Sequence, residues 1–426
     1  LGAELIQNNE PTEAIQYLKK AIKIEPQNAT THFNMGNALQ ADVVLAKSIM
    51  PVSSHSSCPE VPAINTFFSS EAAIDSYIQA IKINPNYSEA YNSMGLALRD
   101  IGDLRAAEEF YNMAINIKLK SAEVYCNMGL FLRDRGELDA AIKFYNIALK
   151  IKPNYDSARA HKLYQQANNC DWAAIEEDRN LIPSLGTLTQ KIDPFSTLAM
   201  EDDPRRHRLR SEVFTNATWP QAPLPLRLKP LQKPKRLRIG YFSADFHNHA
   251  TMYLMAKVFE AHDPEKFELF VYSFGPNKND GMRQRLIKAV DVFTDVRMKS
   301  DKDIALLAQQ DEIDIAVDLK GYTGGSRFGI FVYRAAPIQV SYLGYPGTSG
   351  APSMDYIIAD KVVIPEHLET SYSESIIHLP HSYQVNDNTR VISDDTITKL
   401  EMGLPEQGFV FCCFNSNYKI SPSEFD

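Results

Sequence analysis

The chain lacks the usual signatures of a metal or dinucleotide protein. Its five cysteines (Cys58, Cys126, Cys170, Cys412, Cys413) form no CxxC pair, and no histidine stands at zinc-ligand spacing, which excludes the common zinc folds. An odd cysteine count without a spaced framework predicts a reducing compartment. No GxGxxG opens a helix with a distant acid after it, so a nicotinamide oxidoreductase is a remote reading, and no GxxxxGK[ST] occurs. There is no run of 18 apolar residues and no charged-then-apolar leader, which predicts a soluble chain, although it begins with Leu1 rather than Met. Positive charge is scarce. The net charge is -9, and the one basic cluster, KPKRLR at 233–238, reads as solvated linker and strand entry or as a contact with an acidic partner. A general nucleic-acid surface is excluded, because phosphate neutralisation needs clustered Lys and Arg.

What is present is an ordinary globular composition, 44% apolar and 23% charged over 426 residues, enough for two or three domains. Residues 87–120 and 121–154 match position by position at a period of 34: Gly95 maps to Gly129, Ala107 to Ala141, Tyr111 to Tyr145. Small residues there let antiparallel helices approach, and the aromatic fills the gap between units. Two further copies lie upstream, so residues 1–154 read as an α-solenoid of tetratricopeptide-type repeats.

One copy is interrupted. Gly36 and Ala73 stand 37 residues apart where the regular repeats have 12, a 25-residue insertion near 41–70 that shows no helical period. It reads either as a long flexible loop or as non-coding sequence such as a retained intron. On each first helix the residue before Met-Gly is Asn34, Ser93 or Asn127. Side-chain amides in such a row can hold a peptide backbone without reading its sequence, with Ser93 a weaker rung.

Residues 155–218 predict a helical connector, with helices over CDWAAIEEDRNLI and PFSTLAMEDDPRRHRLRSEVF. WPQAPLPLRLKPLQKP (219–234) carries five prolines in sixteen residues and predicts a stiff linker. From 235 to 405 strands and helices alternate, the pattern of a parallel doubly wound sheet. FVFCCF, in the segment 406–426, predicts a buried strand that begins a second such half.

In doubly wound sheets ligands bind beyond the carboxyl ends of the strands. Candidate loops are therefore SADFHNHATM (243–252), SFGPNKND (273–280), LKGYTGGSR (319–327), LGYPGTSG (343–350) and NSNYKISP (415–422). His249 reads as an exposed loop histidine or as a group that takes a proton or orients a sugar. Arg327 suits a phosphate or carboxylate, or pairs with an Asp. Lys419 is a loop lysine or a counter-charge for a leaving diphosphate. The Gly- and Pro-rich run from Leu343 to Gly350 is an ordinary turn or a bare backbone lining a ligand, and its place on the carboxyl edge favours the ligand.

These blocks, RLRIGYFSADFHNHATMYLM, DLKGYTGGSR, APIQVSYLGYPGTSGAPSMDYIIAD and FCCFNSNYKISP, behind tetratricopeptide repeats, resemble the O-linked N-acetylglucosamine transferase family, the family 41 glycosyltransferases. The resemblance covers nearly the whole chain apart from the insertion. It implies two Rossmann-like domains of GT-B type and inverting transfer of N-acetylglucosamine from UDP-GlcNAc to Ser or Thr of cytoplasmic and nuclear proteins, with no metal and no cofactor. It implies His249 and Lys419 at the catalytic centre, Lys419 on the diphosphate. Tyr322, Arg327, Leu343, Gly344, Pro346, Thr348, Ser416 and Tyr418 would then line the donor site, and Asn34 and Asn127 the peptide groove, with a homodimer through the repeats. Ser416 departs from the Gln of animal members. The short interval from His249 to Lys419 resembles the compact bacterial or algal core. YPGTSG and GYT favour this branch over the Spindly-like branch, which uses GDP-fucose and tends to YPNTTG and GHT. The alternatives are that fucosyl transfer or a non-catalytic repeat adaptor. A doubly wound half needs about 150 residues and residues 406–426 supply only its start, so the chain itself is expected to be inactive.

Overall fold

The structure is a computed structural model that describes residues 2–7, 11–46, 61–188, 190–219 and 235–425. Its first part is helical. Helices α1 (Gly2–Gln7), α2 (Pro11–Ile24), α3 (Ala29–Ala46), α4 (Val61–Ile83), α5 (Ser88–Asp100), α6 (Leu104–Ile117), α7 (Ala122–Asp134) and α8 (Leu138–Ile151) stack in chain order. The packing explains the period. A Cβ on Gly95 would stand 2.8 Å from Cε1 of Tyr111, and one on Gly129 2.5 Å from Cε1 of Tyr145, so only glycine admits each buried ring. Ala73, Ala107 and Ala141 are fully buried at the matching positions.

The interrupted repeat packs by the same rule. A Cβ on Gly36 would overlap the Tyr77 ring, although these two lie 41 residues apart instead of 16. The Tyr77 hydroxyl donates to Asn37 Oδ1 at 2.9 Å and Gln40 Oε1 at 2.8 Å. In the regular repeats the inter-helix turn is closed by Gly102 and Gly136 at φ +87° and +81°, and the insertion occupies the corresponding turn. The expectation of no helix there needs correcting. α3 runs on to Ala46 and α4 starts at Val61, so both flanks of the insertion continue the helices of their repeat; residues 47–60 lie outside the described residues.

The connector comprises α9 (Asp156–Asn168), α10 (Trp172–Asp178), two 3-10 turns (Arg179–Ser184 and Pro194–Thr197) and α11 (Pro204–Thr218). A continuous helix through 194–214 does not form. Asp203 accepts hydrogen bonds from the amides of Arg205 and Arg206, and Pro204 takes the first helical position, so the helix begins there. Apart from Trp219, the proline-rich linker lies outside the described residues.

Then comes a seven-stranded, all-parallel sheet in the order β3-β2-β1-β4-β5-β6-β7: β1 (Leu237–Ser243), β2 (Phe267–Ser273), β3 (Val292–Asp295), β4 (Ile315–Asp318), β5 (Ile338–Ser341), β6 (Tyr356–Ala359) and β7 (Ser375–His378). α12 (Ala250–Ala261), α13 (Gly281–Ala289), α14 (Asp301–Gln310) and the short α15 (Gly329–Val332) connect the first five strands. One core cluster includes Phe242, Tyr272 and Phe331; another includes Tyr241, Met255 and Phe259, and β1 sends alternate side chains into each. The basic cluster is strand entry: Arg236 and Arg238 pair with Glu268, Asp291 and Glu312.

FVFCCF forms no strand. Phe409, Phe411 and Phe414 are 82%, 90% and 97% exposed, because an apolar run becomes a strand only when a neighbouring strand accepts its ladder bonds, and none of the described strands does. β7, in contrast, was not expected from the sequence.

Substituting Gly129 by Ala should destabilise the repeats by about 1–3 kcal/mol through overpacking against Tyr145. Urea unfolding of the chain measures it, and a Gly136→Ala control, where no atom lies within 4 Å of the added Cβ, isolates the backbone cost of a positive φ.

Candidate functional site

In this strand order the chain reverses direction across the sheet between β1 and β4, and the crevice in which doubly wound sheets take their ligands is expected there, beyond the carboxyl ends at Ser243 and Asp318. Asp318 shapes one side. Its carboxylate accepts hydrogen bonds from the amides of Lys320 at 2.8 Å and Gly321 at 3.1 Å, while complete burial pushes its pKa up to about 6 despite those bonds. The turn sends the Lys320 side chain across to β1, where Nζ donates to both carboxylate oxygens of Asp245 at 2.8 and 2.9 Å. Both residues are buried. Neither Lys320 nor Asp245 is among the residues that the sequence singles out. The available signal was a pair of opposite charges, each just past the end of a buried strand.

His249 caps α12. The amide of Thr251 donates to its Nδ1 at 3.2 Å, and Asp245 Oδ2 lies 3.6 Å from the same nitrogen. The imidazole is 41% exposed. His247 is buried behind it, with ring centroids 5.7 Å apart, and its Nδ1 has no hydrogen-bond partner among the described residues. Burial lowers the His247 pKa, with Lys278 and His249 adding to the effect.

The other proposed pocket residues divide. Arg327 does not present its guanidinium to the crevice: Nε donates to Asp301 Oδ1 at 2.8 Å and a terminal nitrogen to the Lys299 carbonyl at 2.7 Å, which ties the loop to α14. Of its two sequence readings the pairing with an Asp is the one realised. The Tyr322 hydroxyl lies 2.5 Å from both Thr215 Oγ1 of α11 and the Ser349 carbonyl, and the ring stacks on Trp219 at 6.1 Å. Burial raises its pKa well above the ordinary tyrosine range.

The glycine-rich stretch has a third explanation beside turn and ligand lining. Leu343 has φ +63°, and the Gly344 amide donates to the Tyr342 carbonyl at 2.7 Å, a tight three-residue turn of the rarer hand. A Cβ on Gly344 would collide with the Leu319 carbonyl, and one on Gly350 with the backbone of α11. These glycines let protein backbone approach protein backbone. Thr348 is buried, its hydroxyl held by Glu374 at 2.6 Å.

Pro346, Gly347 and Thr348 nevertheless form one wall of a cavity of about 560 Å³, closed by Glu201, His207 and Lys419 among others, within the size range of small-molecule sites. Burial lowers the His207 pKa. Thus Lys419, Pro346 and Thr348 come together, whereas His249, Tyr322, Arg327, Leu343 and Gly344 are not in this wall. Lys419 arrives there because its segment docks on the connector: Tyr418 packs on Tyr164 and Phe195, Asn417 donates to the Asn168 carbonyl, and the Ile420 carbonyl accepts from Trp172. Ser416 is exposed beside it. Asn34 and Asn127 are half-buried at equivalent places on α3 and α7, and Asn127 donates to Asn92 at 3.1 Å. Among the described residues no three His, Cys, Asp or Glu side chains converge as metal ligands, and no helix is long and apolar enough to cross a membrane.

Comparison with known proteins adds the following. Residues 219–400 match the model of glycosyl transferase family 41, and residues 2–42, 70–102, 88–121 and 122–155 match tetratricopeptide repeat models. The chain is 46% identical over 193 residues to the probable UDP-N-acetylglucosamine--peptide N-acetylglucosaminyltransferase SEC of Arabidopsis thaliana, covering 44% of this chain and 20% of that protein. It is 39% identical over 163 residues to the UDP-N-acetylglucosamine--peptide N-acetylglucosaminyltransferase of Caenorhabditis elegans, covering 38% and 14%. It is 34% identical over 157 residues to the Arabidopsis protein SPINDLY, named as a probable enzyme of the same kind, covering 36% and 17%. The matched stretch thus spans a fifth or less of these relatives' length. In fold, the chain is similar to a point mutant of Thermobaculum terrenum O-GlcNAc transferase, with a TM-score of 0.52 and 24% identity over 91% of this chain and 65% of that one.

Two stability effects follow from the crevice. Lys320→Met leaves Asp245 charged and buried without its partner, which should cost about 3–5 kcal/mol, and a paired Asp245→Leu change should recover most of it; chemical denaturation of the three variants measures both. Asp318 has a folded pKa of about 6 against an ordinary 3.8, so its contribution to stability is complete below the lower value and lost as pH rises through the higher one. Asp318→Asn should therefore gain on the parent between pH 4 and 7, by on the order of 1–3 kcal/mol. A pH-independent difference in urea midpoints would contradict the buried titration.

Proposed function

From a chain that joins tetratricopeptide repeats to a family 41 glycosyltransferase domain, we propose that its chemistry is protein O-linked N-acetylglucosamine transfer. A Ser or Thr hydroxyl oxygen bonds to the anomeric carbon of UDP-N-acetylglucosamine from the face opposite the diphosphate. The bond to the diphosphate breaks, UDP leaves, and the hydroxyl proton passes to solvent. The observation that carries this reading is the switch point between β1 and β4, where His249 lies beside the buried Lys320–Asp245 pair on the same carboxyl edge as the Leu343–Thr348 turn.

The roles we assign are those that the resemblance implies. His249 serves the reacting centre, and Leu343, Gly344, Pro346 and Thr348 form the floor for the sugar. Lys419 supplies positive charge beside the departing diphosphate, and the reading needs neither a metal nor a cofactor. Tyr322 and Arg327 act from behind, holding the loop that carries Lys320 against α11 and α14. The repeats present protein acceptors, with Asn34 and Asn127 on the backbone of an extended peptide, inside the cell. Both Arabidopsis relatives, at 46% and 34% identity, are named as probable UDP-N-acetylglucosamine transferases, which supports N-acetylglucosamine as the sugar.

Saturation-transfer NMR with the full chain tests donor recognition apart from turnover. UDP-N-acetylglucosamine should receive saturation at its N-acetyl and sugar-ring protons and be displaced by excess UDP. Stronger transfer to GDP-fucose would move the reading to fucosyl transfer, and saturation of neither nucleotide alongside peptide binding by the repeats would replace it with an adaptor.

A further inference from the structure

His249 is held in a way that decides which of its two nitrogens carries the proton. Its Nδ1 receives the backbone amide of Thr251 at 3.2 Å, and an amide N–H can only donate. Nδ1 must then contribute its lone pair, and the neutral ring keeps its hydrogen on Nε2. The Thr251 hydroxyl lies 3.2 Å from the same nitrogen and, able to donate or to accept, follows whichever tautomer the amide sets. The one nearby group that would favour the opposite tautomer is Asp245, whose Oδ2 is 3.6 Å from Nδ1, beyond a good hydrogen bond. Lys320 engages both Asp245 oxygens at 2.8 and 2.9 Å, which holds the carboxylate away from competing for a proton on Nδ1. No protein group among the described residues bonds Nε2 of the 41% exposed ring.

We propose that Thr251 is a positioning residue that fixes His249 as the Nε2–H tautomer, so that the neutral imidazole donates a hydrogen bond into the crevice and is barred from acting there as a proton acceptor. The arrangement turns a residue type usually assigned to proton abstraction into a fixed donor, suited to an oxygen of the bound sugar nucleotide or of its acceptor. Only the identity of that ligand rests on the transfer reading above; the tautomer does not.

Long-range 1H–15N correlation spectra of the full chain, labelled at histidine and recorded with the ring neutral, decide it without any turnover. The His249 resonances, identified by their loss in His249→Gln, should show an unprotonated Nδ1 and a protonated Nε2. Thr251→Val keeps the amide and should leave the pattern as it is. Thr251→Pro removes the amide in the first helical turn, where proline is tolerated, and should shift the tautomer ratio toward Nδ1–H by about fivefold, the value of one ordinary hydrogen bond. A parent spectrum with the proton on Nδ1, or an even mixture, overturns the proposal even if the proline variant fails to fold. An unchanged ratio in a folded Thr251→Pro variant overturns the role of Thr251. Failure of UDP-N-acetylglucosamine to bind, with the tautomer as expected, counts against the transfer reading alone.

Discussion

The ion pair between Lys320 and Asp245 is the contact on which the candidate site depends. Two charges removed from water are tolerated only where geometry repays the lost hydration, and here one ammonium meets both oxygens of one carboxylate. The pair lies at the switch point of the strand order. It couples the loop after β1 to the loop after β4, and so sets the place of the helix that His249 caps. Asp318 belongs to the same construction, since its carboxylate folds the turn from which Lys320 reaches across.

A second consequence of close approach concerns the connector. α11 lies against the sheet domain through Tyr322, Thr215 and Ser349, through the bare backbone of Gly350, and through Trp219 stacked on the Tyr322 ring. Arg210 of the same helix is fully buried, bonded to the carbonyls of Ile182 and Leu185. The helical connector is therefore tied into the doubly wound domain by satisfied polar contacts and packed rings together, and one side of the cavity at Pro346 is built from connector residues.

Much of the fold was legible because its signals are periodic. The 34-residue repeat, the small-against-aromatic pairs and the strand–helix alternation each follow from geometry that a single sequence records. β7 escaped notice because SIIH is short and follows a turn-rich segment, and FVFCCF misled because apolar composition does not reveal whether a partner strand is present. The carboxyl-edge rule names the candidate loops from sequence alone, whereas the contacts of their individual side chains are not readable from it. For Arg327 the sequence leaves both an anion and an Asp as partners, and Asp301, 26 residues earlier in the chain, decides for the second. Lys320 looked like nothing, because the residue that gives it meaning is 75 positions away. Contacts of that separation are fixed by topology and leave no local trace.

The interrupted repeat carries a lesson about where such arrays can change. Gly36 meets Tyr77 as Gly95 meets Tyr111, though 41 residues intervene in one case and 16 in the other. Lengthening a connection costs only about 0.6 kcal/mol for each doubling of a flexible loop, whereas the helix-to-helix contact it spans is a matter of buried rings and alanines. An inter-helix turn of a solenoid is thus nearly neutral ground for added chain, and variation in gene structure at that point can pass into the protein without disturbing the stack on either side.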